Sequence, residues 1–286
     1  MAADRPNRAS RAEQPNRASR TGPLSPLFRT LRQRSLVAVL TKRELAARYR
    51  NGALGFMWSL VNPLLLLLVY ATVFRFVFQP RADVRPYALF LFGGVLVWGF
   101  VSAALLDASE TFRANGPLLR KTTVAPEVFP AVAVGARLSH LVLALPVLAA
   151  AVAIAAYRGD VSVTAAVLQF PVVLALLAAT VFGLALAISA LAVRFGDVRD
   201  LVGNVLTLAF FLTPVLYPVA SVPERFRPLL WLNPFAVFLS AVHESAFFFR
   251  PIPAGMWIGM AATAAVSLLA GGAIFDALRD AIAEEA

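Results

Sequence analysis

Uninterrupted apolar runs of bilayer-crossing length constrain this chain more than any other feature. A helix needs about 20 predominantly apolar residues to span the hydrocarbon. Six stretches supply that length: 57–78, 87–106, 128–157, 161–193, 201–222 and 251–275. The run 161–193 is uncharged and exceeds one straight crossing, so its first part is expected outside the span. Of 286 residues, 59% are hydrophobic and 15% charged, with a mean hydropathy of +0.74. A soluble domain keeps about a quarter of its residues charged, so the composition points to an all-α integral membrane protein.

The stretch 228–242 is apolar but shorter, and as a helix it rises roughly 23 Å. It lies within 214–253, which holds seven of the chain's 19 prolines. Short proline-broken apolar pieces suit a re-entrant segment buried against protein. The expected architecture is six transmembrane helices with an outer re-entrant hairpin between helices 5 and 6. Before them, residues 24–56 are expected to form an amphipathic interface helix, carrying Leu27, Phe28, Leu31, Val37, Leu40 and Leu45 among frequent arginines. Residues 1–23, with PNRASR twice, read as a disordered basic tail. The transmembrane domain then covers 57–275, and 276–286 form a C-terminal tail.

Charge sets the orientation. Residues 1–56 hold 12 Lys/Arg and three acids of a chain whose net charge is +10. Such a block beside a span contacts anionic headgroups and stays cytoplasmic; nucleic-acid binding is disfavoured, because the basic residues lead into a span. With the N-terminus inside, Arg113, Arg120, Lys121, Arg194, Arg199 and Arg279 also fall inside, and both termini are cytoplasmic. Arg137, in the third span, is close enough to its inner end to snorkel.

The sequence carries little catalytic chemistry. It has no GxxxxGK[ST] phosphate loop, no HExxH, no GxSxG, no cysteine and two histidines. No acidic constellation suited to a metal-dependent glycosyltransferase stands out. What remains are junctions. The inner connection 107–127, with Arg113, Leu118, Arg120 and Lys121, is long enough for a short helix across the cytoplasmic mouth, and "RFGDVRD" (Arg194 to Asp200) forms a tight charged turn. Tyr70, Phe74 and Phe78 share one face of the first span, and Trp98 lies in the second. Such rings suit sugar faces or lipid tails lining a path, although helix packing and interfacial belts use aromatics more often. His243-Glu244 reads either as an outer gate or as a local polar pair.

Four stretches carry a family likeness. "RYRNGALGFMWSLVNP", with Arg48, Tyr49, Leu54, Gly55, Trp58, Asn62 and Pro63, enters the first span. "GPLLRKTTVAPEVFP", "FGDVRDL" and "FFLTPVLYPVASVPERFRPLLWLNPF" follow in order. Together they resemble the ABC-2 type permeases that export polysaccharides and polyol phosphates, over about residues 36–275. Ala125 stands where that family has Phe, and Gly196 where it has Arg.

The resemblance implies a homodimer in the bacterial cytoplasmic membrane, joined by two copies of a separate ATP-binding subunit. ATP and Mg would bind that partner, with no cofactor in this chain. The cargo would be a lipid-linked glycan of the O-antigen, capsule, teichoic acid or galactan type. Arg48, Tyr49, Arg113, Leu118, Arg120, Lys121, Asp197 and Arg199 would couple to the partner. Tyr70, Phe74, Phe78 and Trp98 would line the path, and Tyr217, Pro218, Asn233 and Pro234 would form an outer gate. An ABC-2 exporter of a drug or small lipid shares this topology. A multi-span glycosyltransferase is the alternative from another class.

Overall fold

The computed structural model describes residues 22–49, 57–76, 84, 86–121 and 124–285. Among these every regular element is helical. In chain order the helices are α1 (Ser25–Arg32), α2 (Arg34–Tyr49), α3 (Trp58–Phe76), α4 (Tyr87–Lys121), α5 (Val128–Tyr157), α6 (Phe170–Arg194), α7 (Val198–Leu212), α8 (Arg227–Leu232), α9 (Pro234–Ala246), α10 (Ala254–Ala277) and α11 (Arg279–Glu285).

Four of the described helical stretches are long and apolar enough to cross a membrane: Tyr87–Gly116, Val128–Tyr157, Ala165–Arg194 and Ala254–Ala277. The apolar part of α3, Leu60–Val73, is shorter. Large apolar side chains such as Leu64 and Leu68 of α3, Leu201 and Leu208 of α7 and Ile258 and Val266 of α10 face outward. Water would penalise so much exposed apolar surface; hydrocarbon does not. The run 161–193 divides as its length requires. Thr164 accepts a hydrogen bond from the Ala166 N–H, residues Ala165–Gln169 make a 3-10 turn, and α6 starts at Phe170.

Several expected boundaries move. The segment read as one interface helix is two, α1 and α2, separated at Gln33; its end, 50–56, lies outside the described residues, as does the tail 1–21. The connection 107–127 is no separate crossing helix, because α4, 35 residues long in all, continues through it to Lys121. The fifth apolar run does not continue to 222. Helix α7 stops at Leu212, where Thr213 turns extended (φ −97°, ψ 143°) ahead of Pro214. A proline disfavours helical geometry at its predecessor. The piece 228–242 is likewise split, into α8 and α9, because Asn233 is extended before Pro234.

Helices α6 and α10 form the tightest crossing. A Cβ on Gly183 would overlap the Ser267 backbone, and one on Gly271 would overlap the Gly183 carbonyl. Small residues spaced four apart, here Ser267 and Gly271, let two backbones touch where lipid offers no hydrophobic drive for association. Helix α4 runs against α5 and α6 and is buried over much of its length, from Phe90 through Val101 and Ala104 to Ala108. Its side chains enter three successive clusters. Phe90 and Phe92 meet Leu148 and Phe247 at one end. Trp98, Phe100 and Val101 meet Leu177, Phe238 and Met260 in the middle. Phe112 meets Phe129, Phe275 and Ile282 at the other end.

Replacing Gly271 by Val should therefore force α6 and α10 apart. Overpacking of this kind costs about 1–3 kcal/mol or more when backbone must move. The expected outcome is a marked fall in monodisperse, detergent-extracted protein. Gly255→Ala, where nothing lies within 4 Å of the added carbon, should leave the yield unchanged.

Candidate functional site

Two ends of the bundle carry polar side chains. The first gathers the C-terminal part of α4, the starts of α5 and α7, and α2. Helix α2 rests on α5 where Gly135 leaves room; a Cβ there would sit 3.0 Å from Thr41 Oγ1. Between α2, α4 and α5 opens a cavity of ≈ 550 Å³, lined among others by Arg43, Glu44, Asp107, Glu110 and Asn115. At its wall Arg137 donates two hydrogen bonds to Asp107, Nε to Oδ2 at 2.6 Å and Nη2 to Oδ1 at 2.8 Å. Bidentate pairing of this kind fixes both side chains. Arg137 therefore does not snorkel away from the bundle but ties α5 to α4. Arg199 of α7 reaches Glu110 of α4 at 3.1 Å, with both side chains well exposed, so that contact is worth about 0–1 kcal/mol.

Arg137 also lines a mostly apolar cavity of ≈ 400 Å³ between α3, α4 and α5, together with Asn62, Pro63 and His140. Arg137 and His140 thus share a surface, as their spacing on one helix suggests.

At the opposite end, short segments replace a regular span. Asn233 caps α9 by accepting from the Phe235 N–H at 3.0 Å, and its Nδ2 donates to buried Thr213 Oγ1 at 2.8 Å. Pro234 occupies the first turn of α9. Tyr87 donates its hydroxyl to the Leu216 carbonyl, and Tyr217 donates to the Phe211 carbonyl at 3.2 Å. Pro218 leads into a 3-10 turn over Val219–Ser221. The His243 ring is buried and stacks on Phe90 with centroids 3.8 Å apart. Gly94 admits this arrangement, since a Cβ would come within 3.1 Å of His243 Nε2 and 2.9 Å of the Val215 carbonyl. Burial raises the Glu244 carboxyl above its ordinary value, and the Arg250 charge opposes that shift. His243 and Glu244 border a cavity of ≈ 520 Å³ with Pro218, Trp231 and Arg250.

The sequence-derived residues distribute as follows. Arg48 and Tyr49 end α2, while Leu118, Arg120 and Lys121 end α4; their side chains, and that of Phe74 on α3, lie outside the described part. Phe78 lies outside the described residues. Arg113 is exposed on α4, and Asp197 is exposed ahead of α7. Tyr70 is half-buried against the Phe90 cluster. Trp98 is 5% exposed and packs edge-on against Phe235 at 5.7 Å. The structure thus joins Arg199 to Glu110 and Asn233 to Thr213. The Asp107–Arg137 pair escaped sequence reasoning; its only signal was two opposite charges isolated in neighbouring apolar runs. Among the described residues no group of three or more His, Cys, Asp or Glu could hold a metal ion.

The bidentate pair makes a prediction. Asp107→Ala leaves the Arg137 guanidinium half-buried beside an empty acceptor position, at a cost of about 1–3 kcal/mol. Thermal unfolding in detergent should show the loss, and Asp107→Ala/Arg137→Ala should lose less than the two single losses added together. Simple additivity would mean that the pair contributes nothing as a unit.

The family model for the ABC-2 type transporter matches residues 35–247. The O-antigen export system permease protein RfbA of Myxococcus xanthus is 35% identical over 254 residues, covering 88% of this chain and 95% of that protein. A protein of the same name from Klebsiella pneumoniae is 28% identical over 209 residues, covering 73% of this chain and 79% of its own length. The polysialic acid transport protein KpsM of Escherichia coli is 21% identical over 202 residues, covering 71% and 77%. The chain belongs to the ABC-2 type transporter family.

Proposed function

We propose that the chain is the permease subunit of an ABC transporter that exports a lipid-linked polysaccharide across the cytoplasmic membrane, driven by a separate ATP-hydrolysing subunit. The observation that carries this reading is the continuity of α4. At 35 residues it rises about 52 Å, against a hydrocarbon core of about 30 Å. One helix therefore leaves the core by several turns and ends in Arg120 and Lys121, just beyond Gly116 and Pro117. Support for a polysaccharide cargo comes from the names of the relatives.

In this reading the charged end is cytoplasmic, as the positive bias asks. Helices α1 and α2 lie at the headgroup level, with exposed Phe28, Leu31 and Val39 offering apolar anchors. The partner would bear on Arg48, Tyr49, Arg113, Leu118, Arg120, Lys121, Asp197 and Arg199. Helix α3 would be the fifth span; α7, 15 residues long and so about 22 Å, would complete the sixth only together with the turns that follow it, and α8–α9 would re-enter from the outer side. Two copies of the chain would enclose the path, with the Tyr70, Phe74 and Phe78 face toward the glycan and Trp98 packed behind it. Tyr217, Pro218, Asn233 and Pro234 would form the outer gate. Binding and hydrolysis of ATP can shift such a permease only through contacts that differ between its inward- and outward-open states, and α4 supplies a stiff element to carry that difference.

Deleting the chain from its host should abolish surface polysaccharide and leave lipid-linked glycan inside, read by labelled-sugar fractionation. Normal surface glycan with altered drug sensitivity would instead indicate a small-molecule exporter. Arg120→Glu/Lys121→Glu should insert into the membrane normally and lower export by about tenfold or more, within the range of energetic coupling between sites. Unchanged export would reduce the end of α4 to a tether.

A further inference from the structure

The Glu127 side chain is 0% exposed, which is uncommon for a carboxylate. It lies in the turn between α4 and α5, and its two oxygens face different helices. Oε1 is 3.6 Å from Arg29 Nη1 of α1, and Oε2 is 3.7 Å from Arg279 Nη2 of α11. Arg29 also lies 3.7 Å from Asp276 Oδ1 near the end of α10, and Ser25 Oγ donates to Asp276 Oδ2 at 2.6 Å. Two arginines and two acids thus balance one another across three segments far apart in sequence.

Backbone contacts bring those segments together independently. The Pro23 carbonyl occupies the space a Cβ on Gly272 would need. Ile282 of α11 is fully buried in the cluster containing Phe112 and Phe129, which flank the same turn. Apolar side chains could fill such a site with equal or greater stability, because burying ions is costly. What a central carboxylate adds is registry. Neither oxygen accepts a hydrogen bond, so its buried charge is offset only by the two guanidinium groups, and only when α1 and α11 both sit in place.

We infer that Glu127 is a positioning residue for transport, holding α1 and the α10–α11 junction to the turn beyond α4, so that force arriving at the end of α4 moves the bundle as one body. This role rests on the permease reading above. Without the carboxylate the three segments would still pack, yet a push on α4 would be taken up by slippage between them.

The test uses the full chain with its ATPase subunit, in a host lacking its own copy. Glu127→Gln, Arg29→Gln, their double and Glu127→Asp are compared by membrane level, ATP turnover of the purified complex, and surface glycan. In Glu127→Gln, membrane level and ATP turnover should stay within about twofold while glycan exported per ATP falls about tenfold. Arg29→Gln should fall less, since Arg279 remains, and the double should be no worse than Glu127→Gln alone. Glu127→Asp should recover part of the ratio. Wild-type export per ATP in Glu127→Gln would overturn the inference, and so would independent, additive losses. A proportional fall in level, turnover and export would overturn it too, by marking a merely structural role. Should Glu127→Gln fail to accumulate, Arg29→Gln, which leaves one pair intact, supplies the same ratio. Failure of the wild-type chain to restore export would defeat the permease reading itself, a distinct result.

Discussion

The backbone contact of α6 with α10 at Gly183 and Gly271 is the constraint on which the remaining arrangement hangs. Inside a bilayer, lipid tails are as apolar as leucine, so helices associate through close van der Waals packing rather than through exclusion from water. With the two backbones touching, Gly272 lies one residue along and receives the Pro23 carbonyl. Asp276, about one turn further, receives Ser25 and Arg29. From Arg29 the contacts pass to Glu127 and so to the start of α5. A sequence of small residues and matched charges thus fastens the N-terminal helices to a rigid core.

Against that core, α4 acts as the axis of the molecule. Its first turns carry Tyr87 and Phe90 into the Leu216 carbonyl and the His243 ring. Its middle holds Trp98 and Phe100 in the main cluster. Asp107 and Glu110 then engage Arg137 and Arg199. One helix therefore touches the hydrogen-bonded turns at one end and the ionic contacts at the other. The two ends are joined by one helix rather than by a loop.

Much of this was legible in the apolar runs. The long helices α4, α5, α6 and α10 begin within a few residues of the places where charge gives way to apolar sequence, apart from α6, whose capped 3-10 start was visible only as excess length. The ends were harder to read. Pro214 and Pro234 terminate helices that hydropathy alone would carry onward, and α4 continues past its uncharged run because nothing in Asp107 to Arg113 stops a helix. Ion pairs such as Asp107–Arg137 depend on which helices become neighbours, and no local pattern encodes that. Trp98 could be placed on a span but not on a face, so a buried packing role and a path-lining role looked alike.

The central claim is that this chain is a conduit that borrows its motor. The most direct measurement is glycan flux into inside-out vesicles reconstituted from purified components and loaded with the host's lipid-linked glycan. Flux should appear only when both the chain and the ATP-binding subunit are present and ATP is supplied, with no hydrolysis by the chain alone. ATP-dependent flux or ATP hydrolysis by the chain without that subunit would contradict the account.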